Sequence, residues 1–244
     1  MLSEHYRGML QNKSVIREMC AWGAARAAQI GKENVFDYSL GNPSVPVPQA
    51  FTDEMIHLLQ TQPPVALHGY SPVLGIQSVR QAVADSLKKR FGLPYEASAA
   101  GAVAHAVRAV TQPGDVMLTF APFFPEYTPY LNGAGVELQV VPANVEDFQI
   151  QFDAFEAMLS PNVAAVLVNT TATLKRLAEL LRQKGKEYGH PIYLISDEPY
   201  REIQFAGVDG PYVASMYENT LTCYSFSKSL SLPGERLGYV AVNP

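Results

Sequence analysis

The chain has 244 residues, 48% of them hydrophobic and 17% charged, the balance of a globular protein with a core rather than of a disordered or fibrous chain. A net charge of −5 without any clustered run of Lys and Arg argues against nucleic-acid partners. No stretch approaches the ~20 uninterrupted apolar residues of a membrane span, and the opening Met1-Leu2-Ser3-Glu4-His5 has no secretory apolar core. Cys20 and Cys223 match no zinc or redox spacing and are expected to be reduced thiols in a cytoplasmic protein. The histidines are scattered and suggest no metal site.

Ser14 followed by Val15, Met19, Trp22 and Arg26 at helical spacing, with Gly31 beyond, predicts an amphipathic helix over 14–30. The Pro-rich residues 40–48 cannot be helix or central strand, so an extended crossing and a domain boundary are expected there. A second helix is predicted over 76–91, with Ile76, Val79, Val83 and Leu87 inward and Gly92 closing it. Short apolar runs then follow at 116–120, 136–141, 164–168, 192–195, 221–224 and 237–242, interleaved with helical periods. The clearest of these periods is 173–188, where Leu174, Leu177, Leu181 and Tyr188 share a face. The alternation predicts a mainly parallel α/β sheet covered on both sides, with its chemistry beyond the carboxyl ends of the strands.

Three strand ends carry the candidates. Ile195-Ser196-Asp197-Glu198-Pro199-Tyr200 delivers an acid and then a tyrosine. Ser225-Phe226-Ser227-Lys228 delivers a lysine 28 residues after that tyrosine, and Arg236 follows eight residues later with Gly238 beyond it. Each piece alone has a plainer reading: a helix cap, a surface lysine, an exposed ion pair of roughly 0–1 kcal/mol. Ser225-x-x-Lys228 also fits penicillin-binding acyl-enzymes, but their Lys-Thr-Gly and Ser-Asp-Asn elements are missing from the sequence. The acidic strand end fits a P-loop ATPase, yet no G-x-x-x-x-G-K-[ST] loop accompanies it.

The combination resembles the fold-type-I pyridoxal-phosphate-dependent aminotransferases (class I/II). The likeness extends in order through Leu40-Gly41-Asn42-Pro43, His68-Gly69-Tyr70-Ser71-Pro72, Pro113-Gly114-Asp115-Val116 and Ala121-Pro122-Phe123-Phe124-Pro125-Glu126-Tyr127. It implies an N-terminal arm and small-domain segment over 1–46, a large cofactor-binding domain over 47–244, and pyridoxal 5′-phosphate as cofactor. By the same resemblance Lys228 forms the Schiff base and afterwards acts as general base. Asp197 faces the pyridine nitrogen, and Tyr200 bonds the ring's phenolic oxygen. Ser225, Ser227, Arg236 and a helix start at Ala99 and Ala100 receive the phosphate. Phe124 stacks on the ring, and Gly41 lies near the substrate carboxylate. Tyr70 reaches the phosphate of a partner subunit, so a homodimer with shared active sites is expected, acting on an amino acid and a keto acid. Lyases and decarboxylases of the same fold, and non-catalytic ligand-sensing homologues, share the cofactor residues and stay open.

The sequence departs from the family in three places. Asn169 runs through Thr170 and Thr171 into a helix where the family carries an Asn-Pro-x-Gly loop. Only Tyr95-Glu96-Ala97-Ser98 precede Ala99, where the family has a strand ending in Ser-Gly. Pro244 comes before the family's C-terminal small domain and its substrate-binding arginine. The first two departures are expected to be stretches missing from this chain with the flanking ends abutted. Such breaks would show as a Cα step longer than the ~3.8 Å of a trans peptide at Thr170–Thr171 or between Tyr95 and Ala99.

Overall fold

A computed structural model describes residues 14–72, 75–95, 103–169, 173–205 and 210–243. Ala99, Ala100 and both junctions proposed as chain breaks lie outside these residues.

The helices, in chain order, are α1 (Val15–Ile30), α2 (Gln49–Thr61), α3 (Pro64–His68), α4 (Gln77–Phe91) and α5 (Val103–Val110). They continue as α6 (Tyr127–Asn132), α7 (Phe152–Met158), α8 (Leu174–Tyr188) and the single turn α9 (Phe226–Ser229). The strands are β1 (Val116–Phe120), β2 (Glu137–Val141), β3 (Val163–Val168), β4 (Tyr193–Asp197), β5 (Thr220–Ser225) and β6 (Gly238–Val242). They form one sheet in the order β2-β1-β3-β4-β5-β6. The pairs from β2 to β5 are parallel and β5–β6 is antiparallel, so the mainly parallel α/β sheet expected from the alternation is present.

Successive side chains on a strand point to opposite faces, and both faces here are apolar. Leu118, Val166 and Leu194 enter one core with Phe155, Leu177 and Leu181. Met117, Ala165, Leu167, Ile195 and Cys223 enter the other with Val107, Tyr127 and Leu131. Double coverage is what a parallel sheet requires. The periodic stripe of α8 is buried as predicted, with Leu174, Leu177, Ala178 and Leu181 inward.

The N-terminal part differs. α1 forms as predicted, but Val15, Met19 and Trp22 are exposed, and Gly23 is its buried residue. Residues 35–48 contain no helix or strand. The prolines at 63 and 64 begin α3 rather than excluding a helix, because Pro lacks only an N–H that a first turn leaves unused. On α4, Ala84 and Leu87 are buried while Ile76 and Val79 stand about half exposed. These two residues line an open apolar groove of about 260 Å³ between α4 and β6, which corrects the expectation of four equally inward residues.

Candidate active site at the carboxyl edge of the sheet

Strand register brings the three candidate stretches together. Asp197 pairs with Cys223 across β4–β5, and Ser225 pairs with Gly238 across β5–β6. Neighbouring strands lie about 4.8 Å apart, so the acid and the serine belong to one edge. Because β6 runs antiparallel, its start rather than its end lies at that edge. An arginine placed before β6 therefore reaches the same side as an acid placed after β4. Gly238 admits the close crossing: a Cβ there would stand 2.5 Å from the Tyr224 carbonyl oxygen.

Ser225 caps α9. Its Oγ accepts from the Ser227 N–H at 3.0 Å and donates to Ser227 Oγ at 2.6 Å. The turn projects Lys228, whose Nζ donates to the Gly41 carbonyl and lies 5.7 Å from the centroid of the Tyr200 ring. A Cβ at Gly41 would stand 3.0 Å from that amine and 3.4 Å from the Tyr200 hydroxyl. The bare backbone at 41 is thus what lets the extended N-terminal segment close over the lysine.

The deeper side is built around Asp197. The Tyr127 hydroxyl lies 2.6 Å from Asp197 Oδ2 and 2.8 Å from Asn169 Oδ1. Tyr127 opens α6, after β1, and its side chain is fully buried. Asn169 ends β3. In this strand order the chain leaves β1 to opposite sides, so the crevice between β1 and β3 is the switch point where open α/β sheets bind ligands. The tyrosine and the asparagine meet across it. Burial pushes the Asp197 carboxyl above the usual carboxylate range, and the Tyr127 hydrogen bond opposes that rise. Burial, and then the Asp197 charge, push the Tyr127 phenol up, keeping it a neutral donor. Phe124 is partly exposed and meets Tyr127 edge-on, with centroids 5.6 Å apart.

Behind the edge lies a buried ion pair. Glu198 Oε2 is 2.9 Å from Arg201 Nη1, and Ser196 Oγ donates to Glu198 Oε1 at 2.8 Å. Arg201 Nη2 donates to the Tyr239 hydroxyl at 2.7 Å. Its guanidinium stands 4.5 Å from the centroid of Tyr224, whose hydroxyl donates to Ser229 Oγ at 2.6 Å. One cation therefore links the β4 turn bearing Asp197 and Tyr200 to β5, β6 and the lysine turn.

Lys228, Gly41, Tyr200, Ser225 and Ser227 thus gather at one edge with Asp197 and Phe124. Arg236 is exposed at φ 53° and donates to Pro233 O at 3.0 Å rather than to the serines. Tyr70 is fully exposed. Sequence reasoning assigned no role to Tyr127, Asn169, Glu198 or Arg201. The signal for Tyr127 was its place three residues after Phe124 in the same motif; the buried pair carried none beyond adjacency to Asp197 and Tyr200. Among the described residues no group of His, Cys, Asp and Glu could hold a metal ion. None of their helices is long and apolar enough to cross a membrane.

The crystal structure of an aminotransferase from Eubacterium rectale is similar to this chain, with 42% identity, coverage of 99% of this chain and 65% of that one, and a TM-score of 0.91. Aromatic-amino-acid aminotransferase 2 of Thermococcus litoralis is 26% identical over 227 residues, 86% of this chain and 57% of its own length. An aspartate aminotransferase of Pinus pinaster is 30% identical over 225 residues, 85% of this chain and 45% of its own. The chain spans about half the length of these curated relatives. Residues 33–244, most of the chain, match the aminotransferase class I and II family, and the chain belongs to it.

Proposed function

We propose that Lys228 is the attachment point for pyridoxal 5′-phosphate, and that the whole protein moves an amino group between an L-amino acid and a 2-keto acid. The observation that carries this reading is a lysine amine held against Gly41 and Tyr200 at the sheet edge that also presents the partly buried Asp197. The donor set suits the cofactor: an amine for the aldehyde carbon, a carboxylate for the ring nitrogen, and two capped serine hydroxyls with Arg236 for the phosphate. Bound there, the cofactor supplies an electron sink for negative charge at the substrate α-carbon.

The chain's own residues do the rest. Lys228 Nζ, once released, takes the α-proton and returns it, as a general base does. Gly41 leaves the room for that amine to move. Tyr200, with its hydroxyl beside the same small space, orients the lysine and the ring oxygen. Asp197 keeps a negative charge facing the ring nitrogen.

We read residues 1–46 as arm and small-domain segment and 47–244 as the cofactor-binding domain. We read the protein as a cytoplasmic homodimer with shared sites. The exposed Trp22, Phe36, Tyr38 and Tyr70 support a partner surface, and the free thiols of Cys20 and Cys223 support a reducing compartment.

The test is a titration of the full-length protein with pyridoxal 5′-phosphate. The wild type should develop the visible absorption of a lysine-attached cofactor and convert it on addition of amino acids. Lys228→Ala should show neither, and an unchanged band in Lys228→Ala would overturn the assignment.

A further inference from the structure

α9 is a single turn of four residues, too short to hold itself, because a first helical turn fixes several dihedrals for one hydrogen bond. Its closing backbone bonds are long. The N–H groups of Leu230 and Ser231 reach the carbonyls of Phe226 and Lys228 at 3.3 Å each, beyond the usual distance of about 2.9 Å. Ser231 then turns to φ 56°, a left-handed conformation uncommon outside glycine. The turn that carries Lys228 is therefore placed by its side-chain ties. At its start Ser225 caps it through the Ser227 N–H. At its end the Tyr224 hydroxyl donates to Ser229 Oγ at 2.6 Å, so the two ties bracket the lysine.

Tyr224 is a firm anchor. It is 6% exposed, and its ring stacks on Tyr239 with centroids 5.1 Å apart and meets Phe226 edge-on at 5.3 Å. The Arg201 guanidinium lies 4.5 Å from its centroid. Arg201 is fixed in turn by Glu198 at 2.9 Å and by the Tyr239 hydroxyl at 2.7 Å. Burial pushes the Tyr224 phenol up, so the hydroxyl keeps its proton and stays a donor.

We infer that Tyr224, held by Arg201, is a positioning residue that acts through Ser229 to keep the Lys228 amine where the cofactor's aldehyde carbon meets it. The inference rests on the reading of Lys228 as the attachment point. Without the tie, α9 is free to take other arrangements. Attachment is then weakened by the fraction of molecules that leave the competent one.

Pyridoxal 5′-phosphate and pyridoxamine 5′-phosphate separate this role from a general one. Both carry the ring and the phosphate, but only the first has an aldehyde for the lysine. The ratio of their dissociation constants, measured on the full-length protein without amino-acid substrate, therefore reports on the lysine. Ser229→Ala removes the acceptor without touching the buried ring, and Tyr224→Phe removes the donor and keeps the ring. Each should weaken pyridoxal 5′-phosphate about fivefold, the size of one hydrogen bond between neutral groups, and leave pyridoxamine 5′-phosphate within about twofold of wild type. Ser229→Thr keeps a hydroxyl and should retain the wild-type ratio. Arg201→Lys keeps a charge for Glu198 but loses the flat face on Tyr224, and should shift the ratio the same way by less.

If Ser229→Ala and Tyr224→Phe weaken both compounds equally, or lower the melting temperature and leave the ratio unchanged, Tyr224 serves the fold and the inference fails. If Lys228→Ala weakens pyridoxal 5′-phosphate relative to pyridoxamine 5′-phosphate while those two variants do not, the inference alone fails and the attachment reading stands. If the wild type develops no absorption of a lysine-attached cofactor, both fail together.

Discussion

The residues from 103 to 243 and those from 14 to 72 are both rich in large apolar side chains, yet they use them in opposite ways. In the first region Tyr127, Tyr217 and Phe155 are at most 1% exposed; in the second, Trp22 is 67%, Phe36 80% and Tyr38 90% exposed. A sheet offers two broad faces, and each helix that crosses it finds a surface to cover. Among the described residues the N-terminal helices cover no such face. Their apolar residues form the kind of exposed surface that marks an interaction site rather than a core. The site itself is built by the first region, and the second contributes the backbone of Gly41 over Lys228. Buried and exposed apolar side chains are thereby separated along the sequence.

The largest effect expected from this division lies at the buried pair behind the site. Arg201→Met strands the Glu198 carboxylate, whose side chain is 3% exposed, and should cost about 3–5 kcal/mol of unfolding free energy. Urea denaturation measures it. Pairing it with Glu198→Met should recover much of that loss, since two well-packed apolar residues leave no charge uncompensated. A loss below about 1 kcal/mol in the single variant would mean that water reaches the pair, and that this side of the sheet is not the closed interior described. A smaller effect is expected at Tyr217→Phe. The Tyr217 hydroxyl donates to the Ile192 carbonyl at 2.7 Å in a buried setting, so its removal leaves that acceptor short of a partner at a cost of about 1–3 kcal/mol. The same denaturation curve reads it.

The two regions were also unequally legible in the sequence. The short apolar runs and the stripe of α8 specify burial directly, and all six strands, β1 to β6, fall within two residues of their expected positions. Direction is harder to read. Nothing in the run Gly238–Val242 says that β6 enters the sheet antiparallel, although that reversal brings Arg236 to the carboxyl edge. The lysine, the acid and the tyrosine were legible because their spacing matches a family pattern. The contacts of Tyr127 with Asp197 and Asn169 were not, because the partners lie 70 and 42 residues away and only the strand order brings them together. In the N-terminal part helical periodicity was read correctly for α1, but periodicity says which side chains share a face and not what covers that face.

Trp22 is where that last gap can be closed. Its ring projects from a helix with one buried residue, so the chain's own fold gains little from it. Trp22→Ser should change the intrinsic unfolding free energy by no more than about 0.5 kcal/mol, as expected for a surface substitution. In a homodimer that covers this helix, the same change removes an aromatic anchor worth about 2 kcal/mol or more, and dissociation should become at least roughly tenfold easier. Sedimentation across a concentration series separates the two quantities, because assembly depends on concentration and intrinsic folding does not. An unaltered association constant would place the interface elsewhere. A loss of intrinsic stability well above 1 kcal/mol would show that Trp22 is packed within its own chain, and that the contrast between the two regions is weaker than their exposures imply.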